Sequence, residues 1–359
     1  MEDSFTPLHI AEQMARVMFT NAVYFHNSRI SKGQTPSMLD YSCINIAYYA
    51  YAAVAPDGII HLENVWTDIR APVDDSQGGI GSLLDLKQRH SHLKVILSVG
   101  GTPATDDAFR AVVSDPVFRE NFANTAKGLV TASGLDGIDI VWNGPANAAQ
   151  GNDFLALLAC VREQLPKDGF VLTAAFPANR EILQYIDFQK AAHYLDFVNL
   201  QAFGMYNAES SRSGHQAQLY SMNREEMSAS VAVMYLMSRG FSSEGILLGM
   251  PTRGRSFLQC DGLDKEFNGV GGEDGLIDYS ELPQQGRQEI VDRRRIAAFC
   301  TGGDGGFVTY DNPETTQEKA DFCKQKRLGG LVYSDGSADS LDKTRSLILA
   351  GFQRLHHHS

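Results

Sequence analysis

The sequence Leu135-Asp136-Gly137-Ile138-Asp139-Ile140-Val141-Trp142-Asn143 combines an apolar, β-branched run with regularly placed acidic residues. A short run of this kind is typical of a strand in a parallel sheet that is buried on both faces. Because side chains alternate along a strand, Asp139, Val141 and Asn143 are predicted to share one face. In a closed barrel that face is the interior, and chemistry is expected at the carboxyl end of the strand.

Seven further short apolar runs lie on either side of this stretch, at intervals that leave room for a helix between neighbours. Apolar residues at helical spacing occupy the intervals, for example over 154–162 and 228–239. Eight buried strands alternating with helices predict an α/β fold, a closed parallel (β/α)8 TIM barrel. The eight predicted strands cover 21–25, 43–54, 93–98, 135–142, 170–176, 196–201, 245–249 and 328–333.

One interval departs from this alternation. Residues 257–311 are rich in glycine and aspartate and show little helical periodicity at first. They predict a small α+β insertion between strands seven and eight, over the mouth of the barrel. The predicted organisation is a barrel formed by 1–256 and 312–355, with the inserted lobe at 257–311. Residues 356–359, three histidines and a serine, are interpreted as a tag remnant.

Composition excludes several classes of function. A net charge of −12 over 359 residues argues against nucleic acid as a partner. No apolar run reaches the roughly 18 residues of a membrane span, so no membrane partner is expected. Neither a Cys/His metal-ligand spacing nor a phosphate-binding loop is present, and we expect no metal and no cofactor. The five cysteines are expected to be buried thiols, with a Cys260–Cys300 bridge as the alternative.

The stretch 135–143 resembles the D-G-x-D-x-D-W-E signature of glycoside hydrolase family 18, the chitinases and chitinase-like lectins. Four further segments resemble family motifs in the same order along the chain. The resemblance covers nearly the whole barrel and implies the same fold, with the insertion as the family's α+β lobe. The four segments are 98–101 (S-V-G-G), 213–220 (S-G-H-Q-A-Q-L-Y, similar to fungal members), 249–257 (G-M-P-T-R-G-R-S-F) and 267–279.

The resemblance also implies a mechanism that this chain lacks the groups to perform. In the family, the glutamate that ends the signature protonates the glycosidic oxygen, and the substrate's own N-acetyl group attacks the anomeric carbon. The aspartate two residues earlier stabilises that N-acetyl group. Asn143 and Val141 stand at these two positions. General acid catalysis is worth about 10²–10⁴-fold, so we predict a pseudo-chitinase that does not hydrolyse its ligand.

Other cleft positions implied by the resemblance are altered as well. Phe203 replaces the tyrosine that holds the N-acetyl oxygen, and Arg253 replaces the tyrosine of the P-x-Y-G-R motif. Ser334, next to Tyr333, replaces the tryptophan on which the sugar stacks. The resemblance therefore predicts no catalytic residue. The predicted ligand-binding residues are Tyr24, Asp139, Asn143, Gln201, Phe203, Arg253, Arg255 and Tyr333.

Most of these residues also have a purely structural interpretation. Tyr24, Phe203 and Tyr333 could form a sugar-stacking strip or could simply pack the barrel. Asp139 could face a ligand as an acceptor or could brace its strand through hydrogen bonds. Arg255 could bond sugar hydroxyl or N-acetyl groups, or could form an ion pair with a carboxylate of the lobe.

The resemblance implies a lectin that binds chitin or N-acetylglucosamine oligomers and sequesters chitin fragments from host immune receptors, as a fungal effector would. We expect such a protein to be secreted, although its first residues lack a signal-peptide pattern; a cytoplasmic location is the alternative. A protein-interaction or glycosidase-inhibitor module with a host or self partner is a second hypothesis. A residual weak chitinase is a third.

Overall fold

The computed structural model describes residues 19–224 and 226–356, with the side chain of Asp304 left out. Eight strands, β1, β2, β6–β10 and β16, form a parallel barrel that closes because β1 pairs with both β16 and β2. All eight strands predicted from the sequence are confirmed. The strands in chain order are β1 Thr20–His26, β2 Ile46–Val54, β3 Ile60–Leu62, β4 Pro72–Val73, β5 Ser76–Gln77, β6 Lys94–Gly100, β7 Gly137–Val141, β8 Val171–Pro177, β9 Phe197–Gln201, β10 Ile246–Met250, β11 Arg253–Phe257, β12 Leu276–Asp278, β13 Ile290–Asp292, β14 Ala297–Thr301, β15 Phe307–Tyr310 and β16 Gly330–Tyr333.

Helices cover the outside of the barrel, and local sequence fixes where they begin. Helix α3 starts at Pro103 because Thr102 caps it, accepting a hydrogen bond from the backbone N of Thr105. This cap places Asp106 in the first turn of α3. The helices are α1 Val65–Ile69, α2 Gly78–Arg89, α3 Pro103–Ser114, α4 Pro116–Ser133, α5 Ala148–Gln164, α6 Arg180–Leu183, α7 Phe188–Tyr194, α8 Ala229–Ser238, α9 Pro313–Lys326 and α10 Leu347–His356.

Alternation along the barrel strands divides their side chains between two hydrophobic cores. Tyr24, Tyr48, Val141 and Val332 belong to an inner cluster along the barrel axis. The intervening residues pack outward against the helices in a much larger cluster. Burial of each large apolar side chain contributes about 1.5–3 kcal/mol. A shift of one residue would exchange the inner and outer faces of a strand, so this burial fixes the register of each barrel strand.

The predicted insertion is a separate antiparallel sheet that follows β10 and precedes α9. Its strand order is β12-β11-β15-β14-β13. The sheet begins at Arg253, before the predicted boundary at 257, and its last strand ends at Tyr310. The lobe therefore contributes both arginines of the predicted site from its own first strand.

The ends and the cysteines follow the sequence only in part. His356, interpreted as the start of a tag, is the last residue of α10, and residues 357–359 lie outside the described residues. All five cysteines are free thiols and four of them are buried, as expected. Across the described ranges, no helix has the length and apolar character that a membrane span requires.

Candidate ligand-binding site at the barrel mouth

A cleft, here named the mouth cleft, opens where the barrel strands end and the lobe begins. Parallel strands bring their carboxyl ends to one edge, which is where barrel proteins place their sites. Five of the eight predicted ligand-binding residues line it. The lining residues are Tyr24, His26, Tyr51, Gln201, Phe203, Gly204, Gln216, Pro251, Arg253, Arg255, Leu276, Ser334 and Asp335.

Asp139 lies beneath the mouth cleft, fully buried inside the barrel. Its Oδ2 accepts hydrogen bonds from Tyr24 OH at 2.9 Å and from Ser98 Oγ at 2.5 Å. Its Oδ1 accepts from Thr173 Oγ1 at 2.6 Å and from Asn199 Nδ2 at 3.2 Å. Burial raises the pKa of Asp139, although these hydrogen bonds oppose the rise. With four donors already bound, Asp139 braces the barrel, and it does not line the cleft.

Tyr24 is positioned by this network more than by the cleft. Its ring stacks on Tyr48 with the centroids 4.7 Å apart, and only 5% of the residue is exposed. Burial and the neighbouring Asp139 raise its pKa well above the usual value, so the hydroxyl stays protonated and donates. Tyr24 therefore forms the floor of the mouth cleft and offers little free ring surface for stacking.

The positions that differ from the family signature lie at and beyond the end of β7. Val141 is buried in the inner cluster, on the same face as Asp139. Asn143 lies after the strand, is exposed and does not line the mouth cleft. Its backbone N and its Nδ2 both donate to the carboxylate of Asp106, at 3.1 and 3.0 Å. Strand alternation stops at Val141, so Asn143 does not share the inner face of Asp139 as predicted, while its contact with a ligand stays a prediction.

Tyr333 is also misplaced by the sequence reasoning. It is fully buried, and its hydroxyl donates to the backbone O of Leu347 in α10 at 3.1 Å. Its neighbour Val332 belongs to the inner cluster, so alternation sends Tyr333 outward to the helix layer. The prediction that sugar stacks on Tyr333 is wrong.

Four charged residues, here named the charged wall, separate the mouth cleft from the adjoining loops: Arg29, Arg253, Asp278 and Asp335. Arg29 is buried and donates from Nε and Nη2 to Asp335 Oδ2 at 2.8 and 2.5 Å. It also donates from Nη1 and Nη2 to the two oxygens of Asp278, at 2.6 and 2.8 Å. Arg253 Nε lies 2.9 Å from Asp278 Oδ1. Burial would raise the pKa of Asp278, but the hydrogen bonds from Arg29 hold it below its usual value.

Sequence reasoning missed Arg29, because its partners lie 249 and 306 residues away along the chain. Only its place just after the first barrel strand gave any signal. The consequence for chemistry is direct. The Asp335 oxygen Oδ2 accepts two guanidinium hydrogen bonds, so this carboxylate is occupied by the charged wall.

Three lining residues leave polar or aromatic groups open to the mouth cleft. Phe203 is partly exposed, and the side-chain amide of the partly exposed Gln201 makes no hydrogen bond within the described residues. Arg255 Nη1 donates to the backbone O of Asp274 at 2.9 Å. Among the described residues no carboxylate lies within 4.0 Å of the Arg255 guanidinium, so the ion pair considered from the sequence does not form. An aromatic face beside amide and guanidinium donors suits sugar recognition.

Comparison with known proteins agrees with this geometry. The family model described as glycosyl hydrolases family 18 matches residues 20–339, and the chain belongs to that family. Chitinase 1 of Aphanocladium album is 32% identical over 365 residues, which cover 94% of this chain and 85% of that protein. Endochitinase 1 of Metarhizium robertsii is 31% identical over 349 residues, which cover 89% of this chain and 82% of that protein.

Solved structures share the fold. The GH18 chitinase from Cycas revoluta, in complex with (GlcNAc)3, is similar with a TM-score of 0.81 and 23% sequence identity. The match covers 93% of this chain and 99% of that chain. The family resemblance and the (β/α)8 barrel inferred from the sequence are both confirmed.

Proposed function

We propose that this protein binds chitin oligosaccharides at the mouth cleft without hydrolysing them. The observation that carries the proposal is the pair of residues at the end of β7. Val141 and Asn143 stand where the family signature has its two functional carboxyl groups, and Asn143 is turned toward Asp106. An amide has no proton of suitable acidity for a leaving group, so the general-acid step has no donor at this position.

Three carboxylates near the mouth cleft or the old acid position are engaged in hydrogen bonds, and the first, Asp106, accepts them from the backbone N and Nδ2 of Asn143. Asp139 lies below the cleft with four hydrogen-bond donors bound to it. Asp335 accepts two hydrogen bonds from Arg29. Both groups serve the framework, which supports a site that holds a sugar without cleaving it.

Three lines of support favour chitin oligomers as the ligand. Phe203, Gln201 and Arg255 present a ring, an amide and a guanidinium to one cleft. Such groups can pack against the C–H face of a sugar and bond its N-acetyl and hydroxyl groups. The relatives from Aphanocladium album and Metarhizium robertsii are chitinases, and the Cycas revoluta structure is a complex with (GlcNAc)3. The proposal extends to a secreted protein that sequesters chitin fragments.

Isothermal titration with chitohexaose tests the binding. We expect measurable affinity in the wild type and up to about tenfold weaker affinity in Phe203→Ala, because the cleft loses its exposed ring. Tyr333→Phe is the matched control, since that ring lies outside the cleft. Absence of heat at high protein concentration overturns the proposal and leaves the protein-interaction hypothesis. Equal affinity in Phe203→Ala removes Phe203 from the binding surface.

A further inference from the structure

The charged wall of the mouth cleft is balanced within itself. Arg29 and Arg253 supply two positive charges, and Asp278 and Asp335 supply two negative charges. Arg253 Nη2 also lies 3.7 Å from Asp335 Oδ2, so both arginines neutralise both carboxylates. These four groups therefore add no net charge to the cleft that they border.

Arg255 is a further cation of the mouth cleft, and it does not belong to the charged wall. It lines the same cleft from β11, two residues after Arg253. Among the described residues, the one hydrogen bond of its guanidinium runs from Nη1 to the Asp274 carbonyl at 2.9 Å. Its Nε is buried and has no hydrogen-bond partner among the described residues. The Asp274 carboxylate attracts the Arg255 guanidinium only from beyond ion-pair distance. A partly buried charge that no carboxylate contacts is costly, and a ligand carboxylate could supply that contact.

The backbone holds this guanidinium in place. Gly275 follows Asp274 in the turn before β12 with φ +82°, a conformation that favours glycine. A Cβ at Gly275 would lie 2.8 Å from Arg255 Nη1. The glycine therefore leaves room for the Arg255 guanidinium against the turn, where the Asp274 carbonyl accepts its hydrogen bond.

Two further donors face the same cleft. The Gln201 amide and the Tyr51 hydroxyl make no hydrogen bonds within the described residues. Burial, with a smaller effect of Asp139, raises the pKa of Tyr51, so its hydroxyl remains a donor at neutral pH. Arg255, Gln201 and Tyr51 together offer a cation and two neutral donors, which is the set that a carboxylate needs.

We propose that the mouth cleft prefers N-acetylated oligosaccharides that carry a carboxylate over their neutral counterparts, with Arg255 pairing with that carboxylate. This inference rests on the proposed sugar binding at the same cleft. A charge-assisted hydrogen bond is roughly twice as strong as a neutral one, and partial burial of Arg255 limits its screening by salt. A neutral ligand leaves Arg255 with only the more distant Asp274 carboxylate, whereas an acidic ligand places a carboxylate in direct contact with it.

The test compares two tetramers of the same linkage by calorimetry. One is (GlcNAc)4, and the other is the β-1,4-linked tetramer of N-acetylglucosaminuronic acid. Every ring of this acid carries a carboxylate, so one can reach Arg255 whichever ring binds beside it. Affinities for both are measured in the wild type and in Arg255→Gln. We take the affinity for the acidic tetramer divided by the affinity for (GlcNAc)4 in the wild type, and divide this ratio by the same ratio in Arg255→Gln. The resulting quotient cancels the general repulsion of acids by a protein of net charge −12.

We expect this quotient to favour the acid by about tenfold, and to fall at high salt. Arg255→Lys should retain part of the preference, and Arg239→Gln on the outer end of α8 should change nothing. Circular dichroism confirms that each variant is folded.

The outcomes separate this inference from the proposed function. A quotient near one, with both tetramers bound, overturns the role of Arg255 and leaves chitin binding intact. Binding of the acid alone removes neutral chitin as the ligand and supports the inference. If neither tetramer binds the folded wild type, both proposals fail.

Discussion

Replacing the buried Arg29 with methionine should destabilise the fold strongly. Arg29 connects three parts of the chain that are distant in sequence: the segment after β1, the lobe through Asp278 and the segment after β16 through Asp335. Methionine keeps an apolar stem of similar length and removes only the guanidinium. Arg29→Met therefore isolates the charge and its hydrogen bonds.

The expected loss of unfolding free energy follows from the charges that remain after Arg29 is replaced. After the change, Asp335 and Asp278, with side chains 4% and 18% exposed, have only Arg253 as a cation in the charged wall. Removing one partner of a buried ion pair costs about 3–5 kcal/mol. Arg253 stays within 2.9 Å of Asp278 and 3.7 Å of Asp335 and compensates in part. We expect the lower end of that range, about 3 kcal/mol.

Equilibrium urea unfolding at several pH values measures this effect. The pKa of Asp278 is below its usual value in the folded wild type, so its contribution to stability is present at neutral pH and is lost as the pH falls through the folded pKa. Arg29→Met lacks that contribution at every pH. The difference in unfolding free energy between wild type and variant should therefore shrink on acidification.

The exposed pair Lys32–Glu273 provides a control in the same region. Its side chains are 49% and 63% exposed, and such surface pairs contribute about 0–1 kcal/mol. Lys32→Met should therefore have little effect. If Arg29→Met costs no more than Lys32→Met at neutral pH, or if the difference widens on acidification, the description of the charged wall is wrong.

Two further variants, one of them a double substitution, test the assignments at the site. The double reversion Val141→Asp with Asn143→Glu should restore little or no chitinase turnover, because position 143 is held beside Asp106; clear release from a fluorogenic chitobioside would refute this. Tyr333→Phe should leave chitohexaose affinity unchanged and lower stability by about 1 kcal/mol, since the bond to Leu347 is lost. Weaker sugar binding in that variant, with the fold intact, would return Tyr333 to the ligand surface.

The barrel was predictable because its strands have a physical signature that needs no partner information. Continuous β-branched runs fit only strands that are buried on both faces, and the intervals between them fix the parallel connection. The same continuity hides which face each residue takes. Val332 and Tyr333 are both apolar neighbours in such a run, yet only Val332 points to the barrel axis. The error at Tyr333 has this cause.

The site was predictable in part, from residues at or near the carboxyl ends of barrel strands and on the first strand of the lobe. Gln201, Phe203 and Arg255 line the mouth cleft as expected. Phe203 and Asn143 each lie two residues beyond a strand end, but only Phe203 lines the cleft. Asn143 is held instead by Asp106, which nothing in the sequence links to it. The charged wall was missed for a related reason, since its partners come together only when the barrel closes.

The proposal that the protein binds chitin oligomers without hydrolysing them is tested most directly by identifying the sugar that it retains. Wild-type protein is incubated with chitohexaose for many hours, separated from free sugar by rapid gel filtration, and the co-eluting oligosaccharide is identified by mass spectrometry. We expect intact chitohexaose to co-elute. The cleft presents Phe203, Gln201 and Arg255 to a ligand, and the side chain of Asn143 has no acidic proton to donate. Shorter oligomers, or no retained sugar at all, would contradict the proposal.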